Sequence, residues 1–84
     1  MPESTIEVKV YAPFYTYFDG PAKSLSATND TGPFDILPRH KNFMCLLKAG
    51  DLRIRQNGQP DFVMKVKQAV MHVKKDKVTV FLDV

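Results

Sequence analysis

The side chains with the best claim to chemistry in this 84-residue sequence are one cysteine, Cys45, two histidines, His40 and His72, and two nearby carboxylates, Asp30 and Asp35. A cysteine is a nucleophile only as the thiolate, which needs a neighbouring base or positive charge. Cys45 instead lies in the apolar run Phe43 to Leu47, the setting of a buried, unreactive thiol. Being single, it also excludes an internal disulfide. His40 falls in a polar loop and His72 on an alternating segment beside Val70, so no pair of ligands has metal-site spacing. Asp30 and Asp35 could be read as paired acid–base carboxylates. Beside Gly32 and Pro33 they read better as loop residues capping backbone N–H groups. No phosphate-cradling glycine loop and no nucleophile with an evident base occurs. The chain is therefore read as non-enzymatic, with no catalytic residue, metal or cofactor.

The elements that must position these residues follow a period of two. Thr5 to Tyr11 alternates, placing Ile6, Val8 and Val10 on one face of a strand that Pro13 ends. Tyr15 to Phe18 and Ala22 to Thr28 follow, separated by Asp19-Gly20-Pro21, and the loop Asn29 to Pro33 is the clearest break in the chain. Phe34 to Pro38 is a short extended piece, because Pro38 disfavours the helical region at Leu37. Phe43 to Lys48 is the next run, then Leu52 and Ile54 alternate with Asp51, Arg53 and Arg55. Asn57-Gly58 predicts a hairpin in which both turn residues take positive φ. The return strand, Asp61 to Lys67, keeps Phe62, Met64 and Val66 in phase, with Val63 alone breaking the polarity of its other face. Ala69 to Lys74 and Lys77 to Asp83 close the chain, joined by Lys75-Asp76, with Met71, Val73, Val78, Val80 and Leu82 inward. Short strands without any ten-residue helical pattern predict an all-β, two-layer antiparallel sandwich with hairpin connections, one domain over residues 1–84.

Composition agrees. The chain is 44% hydrophobic and 25% charged, with no like-charge block that would argue disorder. No apolar stretch approaches the ~18 residues of a membrane-spanning helix, and Pro2-Glu3-Ser4 is not an export signal. The net charge of +3 is concentrated in the second half, and the simplest reading of it is a solvated strand face.

Surface character remains. With Val8, Val78 and Val80 inward, Tyr11, Val70 and Phe81 point outward, while Phe14, Tyr15 and Tyr17 crowd the first turn and second strand. One small core cannot cover both faces of every strand, so some of these side chains should meet a partner.

The stretch Gly32-Pro33-Phe34-Asp35-Ile36-Leu37-Pro38-Arg39-His40, with Leu47-Lys48-Ala49-Gly50-Asp51-Leu52-Arg53-Ile54 after it, resembles the epsilon subunit of bacterial and chloroplast F-type ATP synthases and its mitochondrial delta counterpart. Val10-Tyr11-Ala12-Pro13, Phe18-Asp19-Gly20 and Val78-Thr79-Val80-Phe81-Leu82-Asp83 extend the likeness over essentially the whole chain. The resemblance implies a ten-stranded or similar sandwich at the foot of the central stalk, transmitting rotation between the gamma subunit and the c ring during proton-driven ATP synthesis. It implies a peripheral place on the cytoplasmic side of the bacterial inner membrane or the equivalent organellar face, touching the membrane only through the c ring. It also implies that Asp30, Thr31, Gly32, Pro33, Arg39, His40, Lys41 and Asn42 face the c ring, and that Tyr11, Tyr15, Tyr17, Val70 and Phe81 face gamma.

The sequence departs from the family pattern in places. Asp35 and Arg39 stand where the family usually has a small residue or glycine, Lys41-Asn42 where it has Ala-Pro, Pro33 where it has an acidic residue, and Gln68-Ala69 where it has a glycine pair. Arg39 and Lys41 add positive charge suited to acidic or carbonyl-lined c-ring loops. The family's carboxyl-terminal helical hairpin has no counterpart up to Val84, so its inhibitory role is not carried over. The alternative is a free-standing binding module for single-stranded nucleic acid, stacking bases on Tyr15, Tyr17 and Phe81 beside Lys65, Lys67 and Lys74.

Overall fold

The computed structural model describes residues 5–39 and 41–82. Among them are nine strands and no helix: β1 (Ile6–Ala12), β2 (Tyr15–Ala22), β3 (Ser24–Asn29), β4 (Gly32–Ile36), β5 (Phe43–Leu47), β6 (Gly50–Gln56), β7 (Gln59–Val66), β8 (Ala69–Lys74) and β9 (Lys77–Leu82). They form two layers, a five-stranded sheet in the order β2-β1-β9-β8-β5 and a four-stranded sheet in the order β4-β3-β6-β7. The all-β two-layer expectation holds. Asp83, expected to end the last strand, lies outside the described residues.

The period-two pattern dictates the core. Ile6, Val8 and Val10 on β1, Met71 and Val73 on β8, and Val78 and Val80 on β9 are all buried against Leu25, Ile36, Leu52 and Ile54 from the other sheet. Burying each such side chain contributes about 1.5–3 kcal/mol. The run Phe43 to Leu47 also alternates. Leu47 is buried, Phe43 and Cys45 are half-buried, and Met44 and Leu46 are exposed, because β5 is an edge strand with one face outside the sandwich.

Only β1–β2, β3–β4, β6–β7 and β8–β9 are the expected hairpins; β2–β3, β4–β5, β5–β6 and β7–β8 cross between the sheets. The first and last strands lie side by side in parallel, with Val8 opposite Val78 and Val10 opposite Val80, a pairing no local pattern encodes. The turns also exchange roles. At Asn57-Gly58 only Gly58 has positive φ, 70°, and a register shift between Ile54 and Gln56 absorbs the difference. At Lys75 and Asp76 both residues have positive φ, 48° and 64°, so the two-residue turn of mirror-image type closes β8–β9 without a glycine. That geometry follows the strand twist, which outweighs the residues' own preference.

Gly50 marks a close approach between β6 and its neighbour β3 in the four-stranded sheet. A Cβ added there would lie 2.8 Å from Thr28 Oγ1 and 3.1 Å from Thr28 Cβ, while the Thr28 carbonyl accepts the Lys48 N–H at 2.9 Å. Thr28 is β-branched and held in β3, so it cannot swing away freely. Gly50→Ala is expected to destabilise the domain by about 1–3 kcal/mol, measurable by urea unfolding.

Candidate docking surfaces

The strand register assembles the outward residues of the five-stranded sheet into one transverse row. Thr16 of β2 lies opposite Tyr11 of β1, Tyr11 opposite Phe81 of β9, Phe81 opposite Val70 of β8, and Val70 opposite Leu46 of β5. The Tyr11 and Phe81 rings contact at a centroid distance of 5.1 Å, and the Lys9 ammonium sits 5.2 Å over the Tyr11 ring. Leu46 is 53% exposed, and Met44 beside it is 65% exposed. Leu46 and Met44 read in sequence as part of a core run. The signal that could have placed them outside is the even spacing that opposes them to Cys45 and Leu47.

Tyr15 and Tyr17 do not join this row. The β1–β2 pairing shifts register between Val10 and Tyr11, so Val10 opposes Phe18 while Tyr11 opposes Thr16. The extra residue in β2 turns Tyr17 to the side of Phe18. Tyr15 and Tyr17 stack edge-to-face on each other at 4.7 Å, and Tyr17 lines a shallow recess with Met64, Lys65, Lys67 and Leu82. The expected five-residue surface is thus two patches: Tyr11, Val70 and Phe81 together, Tyr15 and Tyr17 apart. The alternative nucleic-acid set is scattered in the same way. Phe81 is on the outer face, Tyr17 lies with Lys65 and Lys67, and Lys74 sits beside the β8–β9 turn.

The outer face of the other sheet is closed on itself. The Ser26 hydroxyl donates to Asp35 Oδ1, Arg55 Nη1 donates to Ser26 Oγ at 2.8 Å, and Arg53 pairs with Asp61 at 3.0 Å. Its cross-strand row reads Asp35, Ser26, Arg53, Val63, and only Val63, 45% exposed, is apolar. The expected role of Asp30 and Asp35 as backbone caps is corrected here. Asp35 takes a hydroxyl from the neighbouring strand, and Asp30 pairs with Lys48 at 3.6 Å. The turn is capped by Asn29, whose Oδ1 accepts both the Thr31 N–H at 2.9 Å and its hydroxyl at 2.7 Å.

The loops expected to face the c ring together lie at opposite ends of the sandwich. Asp30 and Thr31 form the β3–β4 turn, with Gly32 and Pro33 opening β4, beside Lys48 at the end of β5. Arg39, Lys41 and Asn42 precede the start of β5 and are tied to the β8–β9 turn. The Arg39 N–H donates to Asp76 Oδ1 at 2.6 Å, and Asn42 Oδ1 accepts the Lys75 N–H at 2.9 Å. His40 lies outside the described residues. The full length of β5 separates the two groups; the sequence places both loops near β5 without saying that they flank it from opposite ends. Arg39 holds φ at 67°, a region that penalises side chains. Arg39→Gly is expected to raise stability by about 0.5–1 kcal/mol in chemical denaturation.

Cys45 is half-buried and pairs with no second thiol. Desolvation pushes its thiol pKa up, and a hydrogen bond with Asn29 offsets part of that. With less thiolate in the folded state, alkylation at pH 8 is expected to run slower than for the same thiol in the unfolded chain, timed by mass spectrometry. The folded state holds this proton to higher pH than the unfolded one. The contribution of Cys45 to stability is therefore complete below the thiol's ordinary pKa and falls as pH rises past it.

The molecule is thus a two-layer β-sandwich with one outer face crossed by polar side-chain pairs and the other by an aromatic and aliphatic row. Residues 5–84 match the family described as ATP synthase, Delta/Epsilon chain, beta-sandwich domain, and the chain belongs to that family. It is 34% identical over 82 residues to the ATP synthase epsilon chain of Laribacter hongkongensis, covering 96% of this chain and 59% of that one. Against the epsilon chain of Neisseria meningitidis it is 33% identical over 82 residues, with the same coverage of 96% and 59%. The chain thus spans under two thirds of the length of these relatives. In structure it resembles a chain of the Euglena gracilis mitochondrial ATP synthase (OSCP/F1/c-ring), with a TM-score of 0.87 at 15% identity over 95% of this chain and 51% of that one. A chain of the Tetrahymena thermophila mitochondrial ATP synthase central stalk and c-ring gives 0.75 at 19% identity, covering 100% of this chain and 67% of that one. At such identities the structural likeness concerns the fold.

Proposed function

We propose that this chain is a non-catalytic rotor subunit of a proton-translocating F-type ATP synthase, holding the gamma subunit to the c ring while the central stalk turns. Family membership supports the assembly, and the single observation that carries a docking role is the row Tyr11, Phe81, Val70 and Leu46 on an otherwise regular sheet face. In this reading the row meets gamma, and Tyr15 and Tyr17 extend the contact at the edge of β2. The Asp30 to Pro33 turn meets the polar loops of the c ring. It lies at the Lys48 end of β5, the end toward which Leu46 and the apolar row are displaced. Arg39, Lys41 and Asn42, at the other end, are left out of that contact. The subunit works peripherally, on the cytoplasmic face of a bacterial inner membrane or its organellar equivalent. Co-expression of a tagged chain with its own gamma subunit and c ring, followed by affinity purification, tests this. Equimolar gamma in the eluate is the expected result, and an eluate with neither partner overturns the proposal.

A further inference from the structure

At the end of the sandwich opposite the Asp30 turn, the outer face of the five-stranded sheet changes character. Two residues along each strand from the apolar row, Lys9 of β1, Thr79 of β9, His72 of β8 and Met44 of β5 lie side by side. One step further, Lys74 and Lys77 stand directly opposite each other across β8–β9, with Lys75 in the turn between them. Like charges opposed in an antiparallel pair are destabilising, so this arrangement is a cost to the fold. Among the described residues Lys74, Lys75 and Lys77 form no ion pair. The carboxylate within the turn, Asp76, accepts the Arg39 backbone N–H instead. On the β1 side, Glu7, the register partner of Lys77, shares the neighbouring recess with Lys77, Thr79, Lys9 and Asp19, so the carboxylates lie on that side of Lys77.

His72, Lys74, Lys75, Lys77 and Thr79 together line an open recess of about 380 Å³ that contains no carboxylate. Every polar group there except the hydroxyl and imidazole is a cation, and both of those can donate hydrogen bonds. We propose that this recess is a binding site for a multiply charged phosphoryl anion, either a free polyphosphate or the phosphate of a lipid headgroup. Three ammonium groups satisfy such an anion as point charges, and Thr79 and His72 add directed donors. The bound anion also relieves the Lys74–Lys77 repulsion. Ligand binding and a rise in stability are therefore linked.

The test is calorimetric titration of the chain with sodium tripolyphosphate at low salt, with thermal melts at each ligand concentration. Binding, with a melting temperature that rises with ligand, is expected. Lys74→Gln/Lys77→Gln should weaken it at least about tenfold while leaving the unliganded protein as stable or more so, since the variant removes a repulsion. Lys65→Gln/Lys67→Gln, lysines outside the recess, should bind as the parent does. Flotation with phosphatidylglycerol vesicles against phosphatidylcholine vesicles identifies the source. Capture by the anionic vesicles that is lost in the Lys74/Lys77 variant assigns a headgroup, and tripolyphosphate binding without capture assigns a free anion. Equal weakening by both lysine pairs, or no binding of either phosphate probe, overturns the proposal.

Discussion

Phe81→Glu is expected to abolish recovery of the gamma subunit with this chain, a loss of at least about a hundredfold in affinity, while the purified variant remains a folded sandwich. Phe81 occupies the centre of the apolar row, flanked by Tyr11 on one side and Val70 on the other. A carboxylate there would be buried by any partner seated on the row, with no cation from its immediate cross-strand neighbours. Leaving one charge unpaired in an interface costs several kcal/mol, and each 1.4 kcal/mol is tenfold in affinity. The matched control is Val63→Glu, on the outer face of the opposite sheet, which should bind gamma like the parent. Circular dichroism and gel filtration on both variants separate lost docking from lost folding. Equal binding by the Phe81 variant and the parent would place the gamma contact elsewhere on the surface.

The largest stability effect is expected at Ile54. It is fully buried, pairs with Leu25 and Phe62 on its two neighbouring strands, and faces the core of the five-stranded sheet. Truncation to alanine removes apolar burial and leaves a cavity that strands locked on both sides cannot close, costing about 2–4 kcal/mol. A domain of this length has only about 4–12 kcal/mol in total. Ile54→Ala should therefore lower the melting temperature by roughly 10–25 °C. Val63→Ala, one strand away but exposed, should change it by less than about 3 °C. Differential scanning calorimetry of the pair tests this. A small effect at Ile54 would mean that the layers are not in close packing there.

The sequence by itself determined most of the strands and the inward set, because side-chain alternation is a local property of an extended chain. Ile6, Val8, Val10, Met71, Val73, Val78 and Val80 could be assigned inward from spacing alone, and all are buried. The family resemblance was legible for the same reason, since Gly50 and Ile54 are constrained by the close approach to Thr28 and by the core. What only the tertiary structure decided was adjacency. The parallel pairing of β1 with β9 brings Tyr11 against Phe81, residues at opposite ends of the chain, and without that pairing there is no row. The register shift in β2 removes Tyr15 and Tyr17 from the same face, and the span of β5 sets the two loops at opposite ends. Pairing partners, bulges and loop placement depend on contacts between residues distant in sequence, which a two-residue period does not encode.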